Sequence, residues 1–141
     1  DFTCRGYRLP TEAEWECACR GGTTTAFAFG NDRTLAEYYG WFEKNSHAIT
    51  HPVATLRPNP RGMFDMHGNL YEWCQNWFHT EIESDKLARI DPTGPTIGLQ
   101  RQLRGGGYLF SSALCRSSLR YGTDPASYYN YCGVRLAKTL D

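Results

Sequence analysis

The segment PTEAEWECACRGG, residues 10–22, is the clearest helix in the chain, and it carries its own start and its own stop. Thr11 can accept from the third helical N–H while Glu14 reaches back to the Thr11 N–H, a capping box; Pro10 and Trp15 can form the accompanying hydrophobic staple. Trp15, Ala18 and Cys19 fall on one face, and Gly21 can end the helix in the left-handed conformation. Over the whole chain there are 14 Gly and 7 Pro, and 14% of its residues are aromatic. That composition favours turns, loops and rigid contact surface over long helices. A length of 141 residues suits one domain, residues 1–141, with a real core.

Beyond the helix the elements are short. GTTTAFAFG alternates loosely between glycines and predicts a short strand or extended edge. HPVATLRPNPRG predicts an extended segment closed by a proline-rich turn, because a residue before proline is pushed out of the helical region. Residues 79–100 read as a long polar surface connection with Asp91-Pro92 and Gly94-Pro95 as turn signals. RQLRGGGYLF returns to strand-like composition, and its three glycines permit positive φ or close backbone approach. CGVRLA predicts a closing strand.

Charge excludes some partners. Fifteen Lys plus Arg balance fifteen Asp plus Glu, so no net field gathers nucleic acid or an anionic membrane surface. No apolar run approaches the roughly 18 residues of a bilayer-spanning helix. The start DFTCRGYRLPTEAEWE lacks a basic region followed by an apolar one and reads as the interior of a longer chain. The six cysteines read first as free buried thiols, with one or more disulfides as the alternative. His47 and His51 have the spacing of a metal-binding helix, but the polar EKNSHAITHP predicts a loop and argues against zinc.

Four stretches carry a resemblance: RLPTEAEWECACRGG, NPRGMFDMHGNLYEWCQNWF, LRGGGYLFSSALCRSSLRYGTDP and the closing GVRLA. In this order and spacing they resemble the formylglycine-generating enzyme, or sulfatase-modifying factor, family. The resemblance implies an irregular α+β, C-type lectin-like fold, loop-rich with short strands and few helices. It also implies that an N-terminal part of the family domain is missing here.

Within FDMHGNLYEW, Asp65 and Glu72 bracket Gly68 and Leu70, so two carboxylates and two main-chain carbonyls gather on a turning backbone. Calcium takes such mixed oxygen sets. The resemblance implies a structural calcium held by the side chains of Asp65 and Glu72 and the carbonyls of Gly68 and Leu70. Magnesium or sodium, or acids that merely bond local N–H groups, are the alternatives. His67 has no role in this reading, and Trp73 anchors the core. EYYGWFEKNSHAITHPV is too short for the family's second calcium site.

Catalytic members of the family hold Cu(I) between two cysteines. Here the second corresponds to Cys115, but the first falls on Phe110 and the preceding Ser on Gly107. Linear two-thiolate coordination is lost, so copper and catalysis are not expected, and Cys115 reads as a packing residue. The disulfides of secreted relatives have no match, since the partner position of Cys19 is Arg120. That favours a cytoplasmic setting. The iron-dependent sulfoxide synthases need a further domain that is not in this sequence.

Family relatives include domains attached to signalling enzymes and the variable proteins of diversity-generating retroelements. Tyr108, Phe110, Tyr121, Thr123, Tyr128, Tyr129 and Tyr131, mixed with Ser, Gly, Ala and Asn, have the composition of antibody paratopes. They are expected to form a surface for a protein or peptide ligand, with packing on the domain as the alternative. The other functions left open are oxidation of a substrate cysteine by a divergent site and service as an accessory domain of a larger signalling enzyme. Arg104, Arg116, Arg120 and Arg135 are expected to pair with Glu72, Asp124 or loop carbonyls rather than hold an anionic ligand.

Overall fold

The computed structural model describes residues 6–80 and 93–139. Its elements in chain order are β1 (Tyr7–Arg8), α1 (Glu12–Arg20), a 3₁₀ turn at Arg33–Tyr38, β2 (Tyr71–Trp77) and β3 (Arg101–Arg104). A 3₁₀ turn at Ser112–Leu114, β4 (Tyr121–Thr123), β5 (Cys132–Gly133) and β6 (Ala137–Lys138) complete them. One sheet runs β4-β3-β2-β5, antiparallel except for the parallel β2–β5 pair; β1 and β6 form a separate two-stranded sheet. No described helix is long and apolar enough to cross a membrane.

The helix forms as its sequence dictates. Glu14 N–H donates to Thr11 Oγ1 at 3.1 Å, Thr11 N–H donates to the Glu14 carboxylate at 2.7 Å, and Gly21 closes the last turn at φ 60°. Trp15 and Cys19 face inward and pack with Met66 and Cys74, flanked by Ala18 and Met63. A second cluster gathers Ala36, Phe42 and Cys115 against Phe29. The five described cysteines are free thiols; Cys4 lies outside the described residues.

Three expectations are corrected. GTTTAFAFG is a tight turn instead of a strand: Phe27 and Gly30 exchange main-chain hydrogen bonds at 3.1 Å, so the consecutive residues Phe27 and Ala28 are both buried. CGVRLA is not one strand. Its first part pairs with β2 and its last with β1, and between them Arg135 turns inward to Glu72. Trp73 is only half-buried; the tryptophan at the centre of the core is Trp15. Of the 79–100 connection, residues 81–92 lie outside the described residues, and residues 93–100 are exposed.

Helix and sheet are locked by charge. Arg104 on β3 is fully buried and donates to the carboxylates of Glu12 (3.3 Å) and Glu16 on α1 and to the carbonyls of Ser117 (2.6 Å) and Leu119 (2.9 Å). Arg120 grips both oxygens of Glu12 at 2.6 and 2.9 Å. Arg104→Ala is expected to lower the unfolding free energy by about 3–5 kcal/mol, because it strips a buried ionic network of its centre. Thr11→Ala removes one cap and is expected to cost about 1 kcal/mol. Urea titration of the two variants checks both values, and equal effects would contradict the ordering.

Candidate functional site

The loop that leads into β2 turns sharply because Asp65, Gly68 and Asn69 all take positive φ, at 56°, 85° and 60°. Asp and Asn are the side chains that tolerate this region best. Main-chain bonds then fix the loop from two sides: Gly68 N–H donates to Gly105 O and Asn69 N–H to Trp41 O, both at 2.8 Å. A Cβ on Gly68 would lie 2.3 Å from Trp41 O, so the approach requires glycine there. Asn69 also exchanges two 3.1 Å hydrogen bonds with the main chain of His51, and its carbonyl accepts from Tyr108 N–H at 2.8 Å.

His67, set aside on sequence grounds, holds this loop to two others. It is buried, its Nδ1 lies 2.8 Å from Cys115 O, and its Nε2 accepts from Ala28 N–H at 3.1 Å. Those partners assign the neutral tautomer with the proton on Nδ1. Phe27 and Phe29 meet the ring edge-on. Burial pushes its pKa down to about 4, against which the bond to Cys115 O works.

The four expected calcium donors differ in what they already bind. Glu72 accepts from Trp15 Nε1 (2.6 Å) and from Arg135 through both oxygens (2.7 and 2.8 Å), which leaves one lone pair on Oε1. Asp65 accepts from Ala54 N–H through Oδ2 at 2.7 Å, with Oδ1 uncommitted. Among the described residues, no hydrogen bond reaches Gly68 O or Leu70 O. Asp65, Leu70 and Glu72 share the wall of an open cavity of about 410 Å³ with Asn69, Val53 and Arg135. No three His, Cys, Asp or Glu side chains converge among the described residues, so a cation here relies on main-chain oxygens. Gly68 is not on that wall; the free Asp65 oxygen, the Leu70 carbonyl and the remaining Glu72 lone pair that do line it are of the oxygen types a hard cation takes. His47 is exposed, and His51 stacks on Trp41 with centroids 3.7 Å apart.

On the other side of β2 lies an aromatic cluster whose central ring, Tyr71, the sequence did not reveal. Tyr71, buried on the strand, meets Phe110 edge-on at 5.3 Å, stacks with Tyr121 at 5.3 Å and meets Tyr131 at 6.2 Å. Phe110 and Tyr131 touch at 5.8 Å, and Tyr129 and Tyr131 at 5.2 Å. Three of the seven expected ligand residues, Phe110, Tyr121 and Tyr131, thereby meet Tyr71, and a fourth, Tyr129, joins through Tyr131. Tyr121 is 42% and Tyr128 93% exposed. Tyr108 and Thr123 are buried and do not belong to the exposed face: Tyr108 is held by its main chain against Asn69 and Ser46, and Thr123 pairs with Arg101 in the sheet.

Cys115 is enclosed. Its thiol has no solvent exposure, packs with Ala36, Phe42 and Phe29 and lies 3.6 Å from Ser111 O. Gly106, at φ 75°, makes room for it, since a Cβ there would lie 2.2 Å from the sulfur. Burial pushes the thiol up to about 12, the opposite of what a thiolate ligand or nucleophile needs. The arginines are structural: Arg135 pairs with Glu72 as expected and Arg116 with Ala113 O, whereas Arg104 and Arg120 turn to the helix acids.

One capped α-helix among the described residues, set against a short-stranded, loop-rich sheet, belongs to the α+β, C-type lectin-like class built around formylglycine-generating enzymes. Within it, the Sulfatase-modifying factor enzyme 1-like domain matches residues 3–140, and the chain belongs to that family. It is 36% identical to the formylglycine-generating enzyme of Streptomyces coelicolor over 96% of this chain and 48% of that protein. It is 35% identical to the serine/threonine-protein kinase pkn1 of Chlamydia pneumoniae over 96% of this chain and 22% of that protein. Among solved structures, Treponema denticola variable protein 1 superposes with a TM-score of 0.92 at 37% identity, covering 98% of this chain and 49% of that one. PvdO from Pseudomonas aeruginosa gives 0.78 at 29% identity over 95% and 53%. The chain spans about half or less of the length of these relatives.

The buried histidine sets a pH dependence. The unfolded chain protonates His67 near its ordinary 6.5, the folded one only near 4, so the unfolded state binds more protons between these values. Stability from this group is complete above pH 6.5 and is expected to fall by about 3 kcal/mol as the pH drops to 4. Urea midpoints measured across that window check it, and His67→Gln is expected to flatten the slope.

Proposed function

We propose that this chain is a catalytically altered formylglycine-generating-enzyme-like domain that binds a protein or peptide ligand through the face supported by Tyr71. The observation that carries the reading is the ring cluster: Phe110, Tyr121 and Tyr131 meet one buried tyrosine and Tyr129 joins through Tyr131, beside a fully displayed Tyr128. Tyrosine offers large contact area with little rotamer entropy to lose, and the intervening Ser, Ala, Gly and Asn adapt. Likeness to a protein named a variable protein agrees with side-chain display from this stretch. Likeness to a kinase, of which the match covers about a fifth, favours a second and compatible reading as the recognition domain of a larger signalling protein.

Cysteine oxidation is disfavoured by chemistry. Phe110 brings a phenyl ring where a thiolate would be needed, and the remaining sulfur of Cys115 is enclosed and protonated. Cu(I) prefers soft thiolates, and one enclosed thiol does not provide a pair. Calcium, in this reading, is structural: Asp65 and Glu72 would hold it by side chain and Gly68 and Leu70 by carbonyl, and it would stiffen the loop beneath the face.

Both parts are testable. Melting with calcium and with chelator is expected to differ, since saturation at 100 times Kd stabilises by about 2.7 kcal/mol. Asp65→Asn, which keeps a side chain tolerant of positive φ, is expected to abolish the difference; identical melts for the native chain would sink the ion site and leave the face intact. Tyr121→Ala combined with Tyr128→Ala is expected to melt within a few degrees of the native chain yet lose at least tenfold of a specific partner's binding in quantitative pull-down. Unchanged capture would end the assignment of this face.

A further inference from the structure

A second open cavity, of about 450 Å³, shares no residue with the ion cavity or with the ring cluster on Tyr71. Thr23, Thr25, Phe29, Tyr39, Pro58 and Pro60 line it. Its rings belong to a column: buried Phe27 stacks on Phe29 with centroids 4.9 Å and planes 12° apart, and Phe29 stacks on Tyr39 at 4.6 Å and 15°. Phe29 and Tyr39 are the half-buried members. His67 braces the column, meeting Phe29 edge-on at 5.6 Å while it accepts from Ala28 N–H. The two prolines are held by the residue between them. Buried Asn59 donates to Ala18 O at 2.6 Å and Cys19 O at 3.0 Å, and its Oδ1 accepts from the N–H groups of Arg61 and Met63 at 3.0 and 2.9 Å. The walls are therefore set in advance, and a ligand has little to order.

Two hydroxyls give this cavity a polar sense. Thr25 Oγ1 donates its proton to Phe27 O at 2.6 Å and Thr23 Oγ1 donates to Arg20 O at 3.0 Å. A hydroxyl has one proton and two lone pairs, so both threonine side chains offer a ligand acceptors only. Against stacked rings and pyrrolidines, a flat ring gains more than the area it buries. The volume falls in the range of small-molecule pockets, which combine such apolar walls with a few placed polar groups. We propose that this cavity is a small-molecule site for a flat aromatic ring carrying an N–H donor, of the aromatic amide class, with the ring against Phe29 and Tyr39 and the N–H directed to Thr23 or Thr25. The site is independent of the Tyr71 face, because no side chain serves both, and either can fail alone.

The test is titration of the isotope-labelled chain with benzamide, cyclohexanecarboxamide and N,N-dimethylbenzamide, followed through backbone amide NMR shifts. Cyclohexanecarboxamide keeps the N–H donors but puckers the ring; N,N-dimethylbenzamide keeps the flat ring but has no N–H. Benzamide is expected to bind with a millimolar Kd, the level that about nine non-hydrogen atoms reach, and to shift the amides of residues 23–30 and 39. The puckered analogue is expected to bind at least about threefold more weakly, and the dimethyl amide about fivefold more weakly. Thr23→Val/Thr25→Val keeps both shapes and removes the acceptors; once near-ultraviolet circular dichroism shows it folded, it is expected to bind benzamide and N,N-dimethylbenzamide alike. Should that variant not fold, the three probes on the native chain decide alone. Equal binding of benzamide and its puckered analogue would overturn the aromatic class, and equal binding of benzamide and the dimethyl amide by the native chain would overturn the donor requirement. Shifts confined to other residues, or none at the solubility limit of benzamide, would overturn the site.

Discussion

One guanidinium organises this protein. Arg104 donates from the middle of the sheet to two acids of the helix and to two carbonyls of the segment before β4, with no exposure to water. Helix, sheet and following loop therefore cannot move independently. Relative to a well-packed apolar replacement, such a buried network adds little net stability, because desolvation offsets the attraction. What it adds is position: donors and acceptors 88 and 92 residues apart meet in only one docking of the helix. Trp15 extends the same constraint, packing under Arg104 and donating to Glu72, which Arg135 then clamps from the closing segment. Charge thus links the helix, β2, β3, the segment before β4 and the chain between β5 and β6.

That rigid half supports a second one made of loops. The segments around Trp41, Gly68 and Tyr108 touch main chain to main chain, and their bonds run between peptide groups or through Asn69 and His67. Between Gly105 and Cys132, Phe110 N–H bonds Gly107 O, Leu114 N–H bonds Ser111 O, and Phe110 O takes the N–H of Glu43. Peptide groups keep these bonds whatever side chain they carry. The path of the loop is consequently insulated from the identity of the residues it displays.

How much of this was legible follows from the reach of each interaction. The helix could be read to its caps because Thr11, Glu14 and Gly21 act within a few residues of each other. The Glu72–Arg135 pair was among the expected partners, since both ends are conspicuous charges. The aromatic cluster was half legible: its outer rings stood out by composition, but the ring that gathers them, Tyr71, lies 39 residues before the nearest of them, Phe110, and joins by folding alone. His67 was misjudged because its partners are a carbonyl and an N–H, which look the same at every position of a sequence. GTTTAFAFG and CGVRLA misled for a related reason. Alternation and composition describe side chains, and both segments are shaped by which main-chain groups they meet.

Phe110 joins these arguments. Phe110 is half-buried, and its phenyl ring turns edge-on to Tyr71 and Tyr131 and completes the cluster. Aromatic pairs in this arrangement contribute about 0.5–1.5 kcal/mol beyond the area they bury. In the proposed reading, the residue that stands where a second thiolate would be needed therefore also stiffens the binding face. A rigid ring platform has less entropy to lose when a ligand docks, so under the proposed function one side chain would both deny a copper pair and prepare the recognition surface.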